Sequence, residues 1–352
     1  MKLTRMIGFS DEQLLSLTRP PFDSIYANRE TFLCATLSCG GAIEACRAVV
    51  AGAVKNAIAV IRPPGHHAES HMPSGFCFFN NVCVAARVCQ KDFPDLCRKI
   101  LILDWDVHHG NGCQEIFYDD PSVLYISIHV YMNGNFYPSS DAGDHLHCGA
   151  GNAYGMNVNV PWTIYGMTDA DYIHAFQEVV MPIAQAFNPD LVIVAAGFDA
   201  ADGDELGKCH VTPAGYSQMT HMLMSLANGK VAVCLEGGYN LRAIAKSALA
   251  VTQTLMGEPP QRLDENLKVS ATAVKDVAMV KRQQSKYWKS LFPRETIDTL
   301  NPEFMPERLH DVLREWQSKV LFDQFQMLPL PIHRTGLTNP HSKSFDYQVI
   351  AT

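Results

Sequence analysis

The sequence has no cysteine pair in the C-x-x-C spacing, although 11 cysteines are scattered along its 352 residues. Several of them, such as Cys83, Cys89 and Cys234, lie inside apolar segments. This distribution excludes a disulfide framework and a zinc knuckle as the organising principle of the fold. We therefore interpret the cysteines as small buried hydrophobic side chains in a reducing compartment.

Long apolar runs and an excess of basic charge are missing as well. We find no run that approaches the roughly 20 apolar residues of a membrane span, and so expect no membrane association. The first stretch, MKLTRMIGFSDEQ, lacks the apolar core and the cleavage site of a signal peptide. The formal net charge of −8 argues against direct nucleic-acid binding and is compatible with a basic partner.

What the sequence does contain is a series of short apolar strands that alternate with helical segments. Its hydrophobic content of 47% is ample for a large core. The predicted strands are 57–61, 99–103, 123–129, 156–160, 191–196 and 231–235. The main predicted helices are 31–54, 81–91, 111–118, 168–187, a segment from 212, a segment ending near 256, 272–290 and 305–320. This alternation predicts an α/β fold, a single large domain with a mostly parallel central sheet flanked by helices.

The most informative stretch is residues 99–112, KILILDWDVHHGNG. Its apolar half is followed by Asp104, Asp106, His108 and His109. Side chains alternate in an extended segment, so the two aspartates and His108 should share one face. Carboxylates at the end of a buried strand are costly unless a cation or a proton network compensates them. Nitrogen and oxygen ligands without thiolate suit catalytic zinc or another borderline divalent metal, and we favour this over a loop of solvated acids.

Ionisable or glycine-rich turns follow three further predicted strands. These turns contain His66-His67, Asp199 and Gly237-Gly238-Tyr239. Because ligands of open parallel sheets bind outside the carboxyl ends of the strands, we expect all four turns at one edge. There, Asp106, His108 and Asp199 can supply three metal ligands and leave a fourth position for water and substrate.

The remaining residues of these turns can supply acid–base chemistry beside the metal. A histidine beside the metal can take a proton, and a partner behind the ring fixes its orientation. His66 and His67 are the candidates, with Asp104 the expected partner of one and Asn111 of the other. Tyr239 is a candidate donor to a developing oxyanion, an ordinary packed tyrosine being the alternative.

Five motifs resemble, in family order between about Phe22 and Pro260, the zinc-dependent histone deacetylases of class II, of the fungal type. They are RPPGHHAE, GFCFFNNV, ILDWDVHHGNG, AAGFDA and LEGGYN. The resemblance implies the arginase/deacetylase-like fold and hydrolysis of the acetyl-lysine amide with release of acetate. It also implies acetylated histone tails or other acetyl-lysine proteins as partners, corepressor subunits, and residence in the nucleus, with the cytoplasm also open.

Carried over residue by residue, the resemblance implies one zinc ion on Asp106, His108 and Asp199. The implied catalytic residues are His66, His67, Asp104 and Tyr239. The implied substrate-binding residues are Asp23, Ser24, Gly75, Phe76, Tyr137, Leu206 and Gly238, of which Phe76 and Tyr137 would line a tunnel. Asn111 would support a histidine, and a structural potassium ion would lie near Asp104, Asp106, His108 and Ser127.

Two positions refine the implied activity. Tyr239 stands where the animal class IIa branch has histidine, so full deacetylase chemistry is expected. Leu206 stands where polyamine-deacetylating members carry glutamate, which favours acetyl-lysine in proteins as the substrate over polyamines.

In domain terms we expect an N-terminal remnant over 1–21, a catalytic domain over 22–297 that lacks the first strands of the family domain, and a linker or docking segment over 298–352 without the C-terminal domain of the fungal enzymes.

Two alternatives stay open. An arginase-like hydrolase with two manganese ions would share the architecture, but Gly110 and Ala201 stand where the acids for a second metal would be expected. One metal is therefore favoured. The other alternative is a catalytically weak module that binds acetyl-lysine or acts as a scaffold.

Overall fold

A computed structural model describes residues 8–16, 23–291 and 350–351 of the chain. The strands are β1 Ala57–Val60, β2 Ile100–Asp104, β3 Val123–Val130, β4 Asn157–Trp162, β5 Leu191–Ala196, β6 Val231–Leu235 and the two-residue β7 Ile350–Ala351. They form one sheet in the order β4-β3-β2-β5-β6-β1-β7, and every pairing is parallel. The predicted α/β fold with a parallel central sheet is confirmed.

Helices cover both faces of this sheet. They are α1 Asp11–Ser16, α2 Thr31–Val50, α3 Asn81–Asp92, α4 Asn111–Phe117, α5 Asp169–Ala175, α6 Met181–Phe187, α7 Pro213–Leu223, α8 Leu241–Leu255 and α9 Ala271–Gln284. Short 3₁₀ turns lie at Met132–Gly134, Asp141–Gly143, Gly151–Ala153, Ala227–Gly229 and Lys289–Leu291. The predicted helix 305–320 lies outside the described residues.

Alternation along β2 divides the core into two layers. Leu101 and Leu103 pack, together with Trp105 and Val107 beyond the strand end, into the layer that includes α5 to α9. Ile100 and Ile102 pack into the layer that includes α2, α3 and α4. All of these side chains are fully buried, so the strand is apolar on both faces until Asp104.

Several helices have an asparagine or threonine at the N-cap, and its side chain accepts hydrogen bonds from the first turn. Asn80 accepts a hydrogen bond from Cys83 N at the start of α3. Thr212 caps α7, with Pro213 in the first turn, as its Thr-Pro step predicts. Asn240 caps α8 directly after Tyr239, which fixes the start of that helix at the edge of the site.

The helix predicted over 168–187 is interrupted. Between α5 and α6 lies a π-helical turn, Phe176–Val180. This wider turn ends two residues before Pro182, which has no N–H to continue an α-helical ladder, so the predicted kink takes this form. The predicted apolar stripe of this segment is core, as expected; its members Tyr172, Phe176, Val180, Ile183 and Phe187 are all buried.

The expectation that no segment has the length and apolarity of a membrane span was wrong for α2. Thr31–Val50 has 20 residues and a mean hydropathy of 1.4. Half of it is buried, and it packs against α3 and β1. This is weak evidence for a span, because a core helix that covers a parallel sheet passes the same test.

We expect Leu103→Ala in β2 to lower the free energy of unfolding by about 2–5 kcal/mol, because a fully buried leucine is replaced by a cavity. Urea denaturation monitored by circular dichroism measures the change. The matched control is Leu249→Ala in α8, where the side chain is 58% exposed and the expected change is below about 0.5 kcal/mol. Equal effects in both variants would contradict the assignment of the core.

Candidate active site

The four ionisable or glycine-rich turns meet at the carboxyl edge of the sheet, as the sequence predicts. The strands that they follow, β2, β5, β6 and β1, are consecutive neighbours in the sheet. The turn after β1 contains His66 and His67, and that after β6 contains Tyr239. A crossover topology thus brings together residues that are far apart in the sequence.

Asp106, His108 and Asp199 form a buried triad whose candidate ligand atoms all lie within 4.8 Å of one another. His108 Nδ1 is 2.9 Å from Asp106 Oδ1 and 3.1 Å from Asp199 Oδ2. Backbone amides hold the two carboxylates in place: Gly237 N donates to Asp106 Oδ2, and Val107 N donates to Asp199 Oδ1. In the described part of the chain this is the one such cluster of metal-ligating side chains.

The electrostatics of the triad fit a divalent cation. Both carboxylates are fully buried and His108 is 6% exposed. Burial, with the neighbouring Asp106 carboxylate, raises the pKa of Asp199 to about 7. Burial opposes a charge on His108, but hydrogen bonds to Asp106 and Asp199 outweigh it and raise the pKa of His108 to about 9. The site thus places two buried carboxylates and one imidazole together, and such a set of oxygen and nitrogen ligands suits a divalent metal.

Gly237 closes the triad from the β6 side. A Cβ atom at this position would lie 2.4 Å from Asp199 Oδ2 and 2.5 Å from Asp106 Oδ2. A glycine is therefore required at this position because the backbone passes close to the two carboxylates, and not because the turn must be flexible.

His66 and Asp104 form a buried pair behind the triad. His66 Nδ1 is 2.9 Å from Asp104 Oδ2, and Tyr125 OH donates to the same oxygen at 2.9 Å. Burial disfavours a charged imidazole, but the carboxylates of Asp106 and Asp104 outweigh it and raise the pKa of His66 well above its ordinary value. His66 is therefore cationic at neutral pH.

His67 has the opposite protonation preference. Its Nδ1 lies 2.8 Å from Asn111 Oδ1, and Asn111 Nδ2 donates to Glu69 Oε1 at 2.9 Å. Burial, and then the neighbouring rings of His66 and His108, lower the pKa of His67 well below its ordinary value. The two rings are 4.0 Å apart, so a neutral imidazole lies beside a cationic one.

Tyr239 stands at the mouth of the site, 46% exposed, with its ring 6.4 Å from that of His108. Burial of the hydroxyl, with the nearby carboxylates of Asp106 and Asp199, raises the pKa of Tyr239, so the phenol stays protonated. Phe76 packs edge-on against it with ring centroids 6.4 Å apart. The predicted oxyanion donor therefore faces the triad.

Aromatic rings line the mouth on two sides. Phe76 is 48% exposed, and Tyr137 packs edge-on against His67 at 5.0 Å while its hydroxyl lies 3.0 Å from Ser74 Oγ. Phe136, which the sequence analysis did not single out, stacks on His108 at 5.0 Å. The sequence signal that could have identified Phe136 is its position directly before Tyr137, a predicted substrate-binding residue.

The other predicted substrate-binding residues lie around this mouth. Gly75 N and Phe76 N donate to the carbonyls of Asp23 and Ser24, which ties the exposed 23–24 segment to the rim. A Cβ atom at Gly75, whose φ is +52°, would lie 2.4 Å from His67 Cδ2. Leu206 borders Tyr239 in a shared cavity.

Two of the four predicted potassium residues are neighbours in the sheet, and Asp106 and His108 follow directly after β2. Asp104 and Ser127 are register partners across β2 and β3, and both are fully buried. The Ser127 hydroxyl is 2.8 Å from His129 Nδ1. The residues are thus brought together, with the carboxylates of Asp104 and Asp106 as the negative groups.

Two further acids that the sequence analysis did not select support the site. Glu236 Oε2 accepts hydrogen bonds from Gly65 N at 2.6 Å and His66 N at 3.1 Å, and burial raises the pKa of Glu236 to about 7. Asp204 is 3% exposed and accepts from the backbone N–H of Tyr239 at 2.7 Å. Glu236 stands directly after a buried strand, a signal that could have found it; Asp204 has no comparable signal.

We expect binding of a divalent metal to the triad to release protons, because His108 with a pKa of about 9 and Asp199 with a pKa of about 7 must both be deprotonated to act as ligands. Affinity should therefore rise as the pH increases from 6 to 8. Calorimetric titration in two buffers of different ionisation enthalpy measures the protons released. Affinity that is independent of pH would contradict these protonation states.

Comparison with known proteins identifies the family of the chain. The family profile of the histone deacetylase domain matches residues 3–255, and that of the Arb2-like domain matches residues 308–352, within the predicted linker or docking segment. The chain is 52% identical over 338 residues to histone deacetylase clr3 of Schizosaccharomyces pombe, covering 96% of this chain and 49% of that protein. It is 51% identical over 267 residues to histone deacetylase 15 of Arabidopsis thaliana, covering 76% of this chain and 48% of that protein.

Two solved structures are similar. The crystal structure of the HDA15 HD domain has a TM-score of 0.71 and 49% identity, covering 76% of this chain and 72% of that one. The structure of the histone deacetylase Clr3 has a TM-score of 0.71 and 47% identity, covering 94% of this chain and 55% of that one. The chain spans about half the length of the curated relatives that it matches. It belongs to the histone deacetylase family and is similar to the fungal class II enzymes, as its five motifs predict.

Proposed function

We propose that this chain hydrolyses the acetyl-lysine amide of histones or other proteins and releases acetate. The observation that carries the proposal is the buried triad of Asp106, His108 and Asp199 with a neutral histidine and a protonated tyrosine beside it. An amide hydrolase needs these three elements, an electrophilic centre, a base and an oxyanion donor, within reach of one carbonyl.

The proposed metal is one zinc ion held by the triad. Two carboxylates and one imidazole leave coordination positions open, which is typical of a catalytic rather than a structural site. When bound, zinc polarises a carbonyl and lowers the pKa of a water molecule.

His67 is the proposed general base. Its Nδ1 faces Asn111 Oδ1, so Nδ1 carries the proton and Nε2 is the free acceptor. Once protonated, the same ring can donate to the lysine amine as it leaves. His66 stays cationic beside it, paired with Asp104, and its positive charge favours the negative charge that develops on the carbonyl oxygen.

Tyr239 is the proposed donor to that oxygen. Because its pKa is raised, the hydroxyl keeps its proton at neutral pH and can donate a hydrogen bond. Phe76 and Tyr137 would flank the aliphatic part of the acetyl-lysine. Gly75, Gly238, Asp23 and Ser24 would contact the substrate at the rim.

For the substrate class we propose acetyl-lysine in proteins rather than acetylated polyamines. Leu206 lies on the wall beside Tyr239, where it offers no charge to a free ammonium group. Polyamine deacetylase HDAC10 of Homo sapiens is also a relative, 42% identical over 288 residues, so membership of the family alone does not decide between the two substrate classes. The proposed setting is the nucleus, with corepressor subunits as further partners.

A structural potassium ion near Asp104, Asp106, His108 and Ser127 is part of the same proposal. It is supported by the two fully buried carboxylates, Asp104 and Asp106, which are separated by one residue. The proposed domain boundaries are a catalytic domain over 22–297 and, after it, a linker or docking segment over 298–352 that contains the Arb2-like match.

The alternative functions predict different chemistry. A two-manganese hydrolase needs acids that bridge a second ion. The described residues hold one candidate cluster of metal ligands, and the residue beside Asp104 is Gly110, which has no side chain to offer as a ligand. A weak binding module would hold an acetyl-lysine peptide without turnover. The intact Tyr239 and the protonation states of His66 and His67 favour catalysis over binding alone.

We expect Tyr239→Phe to lower acetate release from an acetyl-lysine peptide by about 100-fold or more, since one preorganised oxyanion donor is lost. The zinc content should not change, because the phenol is not among the candidate ligands. The measurement is kcat for the zinc-loaded chain. Tyr154→Phe, which removes a hydroxyl from an exposed tyrosine, is the control and should retain full activity. Equal turnover of the wild-type chain and Tyr239→Phe would remove Tyr239 from the mechanism.

A further inference from the structure

A second cavity, which Phe76 does not line, opens next to Tyr239. It has a volume of about 630 Å³ and is lined by Gly203, Glu205, Leu206, Tyr239, Asn240 and Leu241. The proposed mechanism uses only Tyr239 and Leu206 of these residues. Because the cavity shares Tyr239 with the acetyl-lysine site, its occupant would lie within one or two residues of the acetylated lysine.

The walls of this cavity are fixed to the site by one buried carboxylate, Asp204. Its Oδ2 accepts hydrogen bonds from Tyr239 N at 2.7 Å and Asn240 N at 3.2 Å. Its Oδ1 accepts from Leu206 N at 2.9 Å and Gly207 N at 3.2 Å. The two loops that form the cavity are therefore tied to each other and to the backbone of the proposed oxyanion donor.

The chemistry of the lining is amphipathic. Leu206 is 47% exposed and Leu241 is 76% exposed, so two apolar side chains face solvent at the same opening. Glu205 is exposed, and within the described ranges its carboxylate has neither a hydrogen bond nor an ion pair. Among the residues that the structure describes, no lysine or arginine lines the cavity.

The neighbouring charges are already engaged elsewhere. Asp202 pairs with His210 at 2.8 Å, and Lys208 Nζ lies 5.1 Å from the centre of the Tyr165 ring. Glu205 is thus the carboxylate of this rim that is available to a ligand. A lysine or arginine side chain matches the opening, because its aliphatic stem covers apolar surface while its charged end stays in water.

We propose that the cavity between Gly203–Leu206 and Tyr239–Leu241 binds a lysine or arginine side chain next to the acetyl-lysine, and that Glu205 determines this specificity. The inference rests on the proposed function, since it places the flanking residue by reference to the acetylated one. It narrows the substrate class to basic segments, in which positive side chains adjoin the modified lysine.

Two fluorescent peptides that differ only in charge test the proposal. Both contain acetyl-lysine; one has arginine and the other has citrulline at the two neighbouring positions. Fluorescence anisotropy gives Kd for the zinc-loaded chain, for Glu205→Gln and for a control, Glu258→Gln. Glu258 is an exposed acid beyond the C-terminal end of α8. Its substitution by glutamine therefore removes the same charge as Glu205→Gln, but at a distance from the cavity.

We expect the wild-type chain and Glu258→Gln to bind the arginine peptide about threefold to fivefold more tightly than the citrulline peptide, the range of an exposed ion pair. Glu205→Gln should bind both peptides equally. The preference should shrink at high salt, because the pair is exposed. Equal affinities in the wild-type chain, or a preference that survives in Glu205→Gln, would overturn the proposal.

Acetate release from the same peptides separates this inference from the function on which it rests. Turnover without a charge preference in Kd would overturn the subsite and leave the deacetylase function standing. A Glu205-dependent preference without turnover would overturn the deacetylase function and support the subsite as a binding feature. Failure of both peptides to bind would overturn both.

Discussion

The burial of carboxylates at the edge of a parallel sheet is the constraint on which this structure depends. Asp104, Asp106 and Asp199 are fully buried, and each is stable there only because specific groups compensate it. A cationic histidine and a tyrosine hydroxyl contact the first, while backbone amides and His108 contact the other two. The proposed catalytic histidines, the glycine turn and the proposed metal site all fit that compensation, since each is a way to place donors or positive charge against buried oxygens.

Much of this arrangement is visible in the sequence, for identifiable reasons. Apolar strands that are buried on both faces have a distinctive composition, and the acids that interrupt them mark the strand ends. The rule that such ends share one edge locates the site without knowledge of the strand order. Residue types alone predict that Asp104 supports one histidine and Asn111 the other, because an imidazole beside a metal requires a partner behind it. Which histidine takes which partner is seen only in the structure, where His66 pairs with Asp104 and His67 with Asn111.

Other features depend on distances between segments that are remote in the sequence. The neutral state of His67 arises from burial and from two neighbouring rings, neither of which is a property of local sequence. Asp204 and Glu236 act by accepting backbone N–H groups from other turns, so their role appears only once those turns are positioned. The form of the kink before Pro182 and the location of the apolar helix α2 also depend on tertiary packing. Local sequence predicts a kink and an apolar helix, but not the π-helical turn or the packing of α2 against the sheet.

The most direct test of the account is a zinc titration of the chelator-treated chain, with acetate release from an acetyl-lysine peptide as the readout. A single buried triad predicts that activity rises in proportion to zinc and reaches its plateau at one ion per chain. The metal content of the same samples should reach one per chain at the same point. A plateau at two ions, or a folded chain that carries one zinc ion at the triad and releases no acetate, would contradict the account.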